Sequence, residues 1–125
     1  MKDLRVKRIY EDAAPQDGLR MLVDRLWPRG ISKERAALHA WAKELSPSDA
    51  LRRAVHHEDM PFEQFEAAYL KELNESDAAR ATAQAWKPLL KEQPITLLYA
   101  AHDAQRNQAG ILREWLLQQM GEEGA

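Results

Sequence analysis

Apolar and polar residues alternate early in this chain, repeat at helical spacing through its middle, and run together once near its end. Leu4 and Val6 alternate with Arg5 and Lys7, which predicts a strand over 4–10. Arg8 breaks the alternation, and Ile9 and Tyr10 follow as neighbours. Either a bulge near Lys7 and Arg8 returns Ile9 to the inner face, or the strand is covered on both faces toward its end. Residues 11–18, with Pro15, Asp17 and Gly18, read as a turn-rich loop. Leu19-Arg20-Met21-Leu22-Val23 opens a second strand, 19–25.

A longer periodicity then takes over. Ser32 reads as a helix N-cap, and the helix it starts places Leu38, Trp41, Ala42 and Leu45 on one face. Ser46-Pro47-Ser48-Asp49 is a second start, with a cap, a proline at the first helical position and an acid at the third, and this short helix reaches His56 and His57. Pro61 opens a helix with Phe62, Phe65, Tyr69, Leu70 and Leu73 inward. Ser76 and Asp77 open another, reaching Trp86, Leu89 and Leu90, which Pro88 is expected to kink or shorten. Pro94 precedes the apolar run 95–101, the pattern of a central parallel strand covered on both faces. After a polar loop at 102–107, a last helix turns Ala109, Leu112, Trp115 and Leu116 inward, and the tail 121–125 is expected to fray.

Strand, helices, strand and helix predict α/β layering in one domain over 1–120, with a mostly parallel sheet and a helical insert between the second and third strands. Ligands of open α/β sheets bind beyond the carboxyl ends of the strands, so loops 24–31 and 101–107 are expected to share one rim.

Composition narrows the chemistry. There is no cysteine, which excludes disulfides, thiolate nucleophiles and cysteine-based metal sites. The net charge of −2 and pI of about 6.1 disfavour bulk nucleic acid as a partner. No stretch approaches the ~20 apolar residues that span a bilayer, and MKDLRVKRIYEDAAP has no signal-peptide core. No membrane partner and a cytoplasmic location are expected. GxGxxG, Walker, HExxH and EF-hand patterns are all missing, so neither a cofactor nor a metal is expected. His56 and His57 are adjacent and point about 100° apart on a helix, and His39 falls on a polar side.

The stretch DRLWPRG at 24–30 is not the composition of a plain connector. Arg25 and Arg29 supply permanently charged forks suited to carboxylate or phosphate, Gly30 permits close approach or a left-handed turn, and Trp27 offers a ring for stacking. Arg25, directly after the strand, is expected to organise the rim, and Arg29 to meet the ligand. In the second loop His102 and Asp103 are candidates for proton transfer, Asp103 also for capping the last helix, and Asn107 for a hydrogen bond to ligand. The leading expectation is a site for an anionic small molecule, binding or enzymatic. Two other readings stand beside it: an interaction protein without chemistry, and a nucleic-acid-binding or regulatory module using Arg5, Lys7, Arg8 and Trp27. The pattern sets no oligomeric state.

The segments DGLRMLVDRLWPRGISKE, WAKELSPSDALR and ITLLYAAHDAQRNQAGILREWL resemble the hallmark segments of the YeaO-like proteins, the domain-of-unknown-function family 488. The resemblance covers roughly residues 4–118. It implies a small bacterial protein with a three-layer, Rossmann-like α/β sandwich and no assigned reaction. Asp24, Arg25, Trp27, Pro28, Arg29, Gly30, Trp41, Asp103 and Asn107 match the family pattern. His102 stands where relatives often carry Lys, and Gln105-Arg106-Asn107 replaces a Cys-His stretch of longer relatives, so thiol chemistry does not carry over.

Overall fold

The centre of the sheet is the uninterrupted apolar run. In a computed structural model, which describes residues 2–57, 59–102 and 107–124, strand β4 (Ile95–Tyr99) is buried along its whole length. It pairs in parallel with β1 (Leu4–Arg8) on one side and β2 (Leu19–Leu22) on the other. A two-residue strand, β3 (Ala40–Trp41), lies parallel outside β2, giving the order β1-β4-β2-β3. An all-parallel sheet requires crossovers, and the helices supply them. They are α1 (Lys33–Ala36), α2 (Asp49–His57), α3 (Phe62–Glu75), α4 (Asp77–Glu92) and α5 (Gln108–Gly124). The result is an α/β fold of Rossmann-like kind.

The two faces of the sheet are unequal. Leu4, Met21, Val23, Ile95, Leu97 and Tyr99 join the large core under α2–α5. Ile9, Leu22 and Leu98 join a smaller core with Ile31, Ala36 and the rings of Trp27 and Trp41. The register from Leu4 opposite Ile95 to Arg8 opposite Tyr99 is unbroken, and the Ile9 N–H donates to the Tyr99 carbonyl at 2.8 Å. There is no bulge, and the end of β1 is covered on both faces.

The helix expected from Ser32 to residue 45 is corrected. Ser32 does cap, its Oγ accepting the Arg35 N–H at 3.0 Å, but α1 is a single turn. Ala37 is left-handed (φ 48°), and the Ala36 carbonyl accepts Nε of buried Arg20 at 2.8 Å. The open edge of β2 then captures the chain. His39 N–H donates to the Arg20 carbonyl and Ala42 N–H to the Leu22 carbonyl, each at 2.8 Å. The apolar residues that mimic one helical face are divided between layers: Leu38 and Trp41 enter the small core, Ala42 and Leu45 the large one.

Two smaller expectations change. The cap of α2 is Ser48, whose Oγ accepts the Leu51 N–H at 3.1 Å, while Ser46 Oγ donates to the Lys43 carbonyl. Pro88 does not shorten α4, which continues to Glu92 with the proline on its exposed side. Gly18, at φ 66°, leads into β2, where the Leu19 N–H donates to the Pro94 carbonyl at 2.9 Å. A Cβ on Gly18 would stand 2.1 Å from that carbonyl oxygen, so only glycine fits. No described helix is long and apolar enough to cross a membrane.

Candidate functional site

Beyond the carboxyl ends of β2 and β4 lies a pocket of about 600 Å³. Residues 24–29 line one side, and Ala100, Ala101, Asn107 and Gln108 line the other. Val55, Met60, Phe62 and Phe65, from α2, α3 and the segment between them, give it apolar walls. The two loops therefore meet at one rim, as parallel strands with a shared carboxyl end dictate.

The first loop is clamped by its own aromatic residues and arginine. Trp27 Nε1–H donates to the Ile31 carbonyl at 2.6 Å. Its ring meets Trp41 edge-on at 5.3 Å, and Trp41 Nε1–H donates to the Asp24 carbonyl at 2.7 Å. Arg25 Nε donates to the Pro47 carbonyl at 3.0 Å and lies 3.8 Å from Asp49, which ties the loop to the start of α2. Arg29 differs. Its carbonyl accepts the Tyr10 hydroxyl at 2.9 Å, but its exposed guanidinium has no hydrogen bond or ion pair among the described residues. Gly30, at φ 80°, completes the turn outside the pocket lining.

The second loop contributes less than its composition suggests. His102 is exposed and is not among the residues lining the pocket, and Asp103 lies outside the described residues. Asn107 is buried and lines the pocket, but its Oδ1 caps α5, accepting the Ala109 N–H at 2.8 Å and the Gly110 N–H at 3.4 Å. Arg8, from β1, braces this side, donating from Nε to the Ala101 carbonyl at 2.8 Å and from Nη2 to the Ala100 carbonyl at 3.2 Å.

Asp24, a match to the family pattern that the sequence did not single out as a site residue, lines the pocket. Its carboxylate accepts the Ala100 N–H at 2.9 Å and a hydrogen bond from Gln108 Nε2. It makes no ion pair among the described residues. Burial pushes its carboxyl up to about 6, against the opposing pull of those two donors. Behind it, burial raises the Tyr69 hydroxyl well above its ordinary value, with the charges of Asp24 and Glu72 adding to the effect. Arg52 completes the polar set. Its Nη2 donates to Asp49 at 3.2 Å, and its Nε is buried without a partner among the described residues.

No group of three or more His, Asp or Glu side chains is placed to hold a metal ion among the described residues. The basic strand β1 is also largely neutralised, with Lys7 Nζ 3.1 Å from Asp17 and Arg5 Nη2 3.2 Å from Asp3.

A family model described as the inactive DUF488-N3 subclade matches residues 3–125. The chain belongs to that family. It is 43% identical to YeaO of Escherichia coli (strain K12) over 116 residues, 91% of this chain and 96% of that one. It is 36% identical over 113 residues to an uncharacterised protein of Mycobacterium tuberculosis (strain ATCC 25618 / H37Rv), covering 90% of this chain and 92% of the other. No solved structure matches it. In this YeaO-like DUF488 protein, DRLWPRG is at once a clamp and a pocket wall: Trp27 and Arg25 hold the loop, while Asp24 and Arg29 present charge.

Proposed function

We propose that the pocket binds a small organic anion with an apolar body and releases it unchanged. The observation that carries this reading is the guanidinium of Arg29, which has no hydrogen bond or ion pair among the described residues and lines an apolar-walled cavity. A permanently charged fork suits a carboxylate or phosphate, and Arg25 and Arg52 add positive potential at the same mouth. The walls of Val55, Met60, Phe62 and Phe65 suit hydrocarbon, and the volume falls in the range of small-molecule sites. Binding without turnover agrees with the description of the family as an inactive subclade and with a pocket lined by neither His102 nor any other histidine among the described residues.

The test is a thermal-shift panel of aliphatic carboxylates, aromatic carboxylates and organic phosphates. A ligand at 100 times its Kd stabilises the native state by about 2.7 kcal/mol, which raises Tm by several degrees. Arg29→Ala is expected to abolish that rise while changing unliganded stability by no more than about 0.5 kcal/mol, as for other exposed side chains. A panel in which nothing raises Tm, or a rise that survives in Arg29→Ala, rejects the reading.

A further inference from the structure

Resting on the anion reading above, we infer that the pocket's ligand is a zwitterion, with a protonated amine received by Asp24 and a carboxylate held by Arg29. Asp24 has acceptor capacity to spare. Among the described residues, its Oδ2 is met by one donor, the Ala100 N–H, and its Oδ1 by one, the Gln108 amide. An ionised carboxylate offers about four lone-pair positions, so each oxygen keeps one for a ligand. The arginines that share the pocket leave its charge unanswered. Arg25 and Arg52 both turn to Asp49, and Arg29 pairs with nothing described. A largely buried carboxylate with open acceptor positions and no counter-ion among the described residues is best matched by a cation, because charges left unpaired in a low dielectric are costly. Among the described residues, the cations that line the pocket are the guanidinia of Arg25, Arg29 and Arg52, and none of them pairs with Asp24, so we assign the matching positive charge to the ligand. The apolar walls of the same pocket are Val55, Met60, Phe62 and Phe65. Ammonium inward, carboxylate outward and a hydrocarbon side chain against those walls describe an apolar α-amino acid or a close relative of one.

The experiment titrates full-length protein by calorimetry with matched probes: L-phenylalanine, 3-phenylpropanoate, which lacks the amine, and 2-phenylethylamine, which lacks the carboxylate. A second pair, L-leucine and 4-methylpentanoate, covers a smaller pocket volume. At pH 7.5 the amino acid of a pair is expected to bind at least tenfold more tightly than its deaminated partner. Asp24→Asn is expected to bring the pair to within about threefold, leaving the deaminated acid dependent on Arg29. In the wild type the preference is also expected to shrink between pH 7.5 and 5.5. The charged and titratable described residues around Asp24 are Arg25, Arg29 and Arg52, which line the same pocket, and Tyr69 and Glu72 on α3, with neutral Gln108 on α5 bonded to it. Of these the arginines keep their charge throughout, Tyr69 titrates far above this window, and burial moves Asp24 into it.

Equal affinity within both pairs, or a preference that persists in Asp24→Asn, overturns the zwitterion while the anion reading survives. Binding of 2-phenylethylamine with no binding of either deaminated acid rejects the anion reading and leaves the amine at Asp24. Failure of every probe to bind overturns the zwitterion.

Discussion

A charge at Asp24 is held against the preference of its surroundings. With the carboxyl near 6 in the folded chain and 3.8 as its ordinary value, the native state binds its proton more tightly than the unfolded state. Stability therefore falls as pH rises from about 4 to about 6 and stays lower above that, by an amount of order 3 kcal/mol at 1.36 kcal/mol per unit. Asp24→Asn removes the charge but keeps an acceptor for the Ala100 N–H, and the Gln108 amide can rotate to accept from the new side chain. The variant is expected to be about 1–3 kcal/mol more stable than the wild type in urea melts at pH 7.5, with the gap closing as pH approaches 4. Asp17 behaves in the opposite sense. Burial opposes its ionised form, but hydrogen bonds from the Ala14 N–H, Lys7 and Arg20 outweigh that and hold its carboxyl below the ordinary value. Its contribution is present above 3.8 and lost only as pH falls through its lower folded value, so the two acids separate on the pH axis. The sequence draws attention to Arg25 and Arg29, and brings in Asp24 only as a match to the family pattern. What hides its surroundings is distance along the chain: its partners are 76 and 84 residues away, and no local pattern reports that.

Among the elements, capping chemistry was legible and edge pairing was not. Ser32 and Ser76 cap as their local sequence requires, because a cap is satisfied within three residues. The stretch 38–45 has helical spacing, yet its fate is set by the unpaired edge of β2 and by Arg20 reaching the Ala36 carbonyl. Tertiary hydrogen bonds override a weak periodicity. The approach of Gly18 to Pro94 was half legible. A glycine in a turn was evident, but the contact that requires it was not. Gly18→Ala combines a left-handed backbone with a clash against the Pro94 carbonyl, and is expected to cost roughly 2–4 kcal/mol in chemical denaturation. A comparable alanine substitution at Gly30, where a Cβ meets nothing within 4 Å, carries only the backbone part of that penalty and serves as the control.

For the molecule as a whole, the unbroken apolar run was enough to place one strand at the centre of a parallel sheet, because only a strand covered on both faces and paired on both edges can carry such a run. The pocket walls were not legible, since Phe62 and Phe65 have the spacing of core residues and differ only in facing a cavity. A central β4 predicts a hierarchy of opening. In native-state hydrogen exchange the amides of Leu97 and Leu98 are expected to be among the slowest, exchanging only through global unfolding, while those of β3 exchange through local fraying. Uniform protection across the sheet would contradict it. The other margin of the sheet has a different consequence. Asp3 carbonyl and Ile9 N–H face β4, so in a parallel ladder the backbone groups of Leu4, Val6 and Arg8 face outward. The Leu4 carbonyl accepts Nε of Arg113 at 2.6 Å, and the Arg8 N–H meets Glu11 at 3.3 Å. A foreign strand arriving at this margin finds the first and last positions already claimed, with only the stretch around Val6 open between them. That is too short a template to propagate, and the sheet is thereby guarded against runaway growth into fibrils.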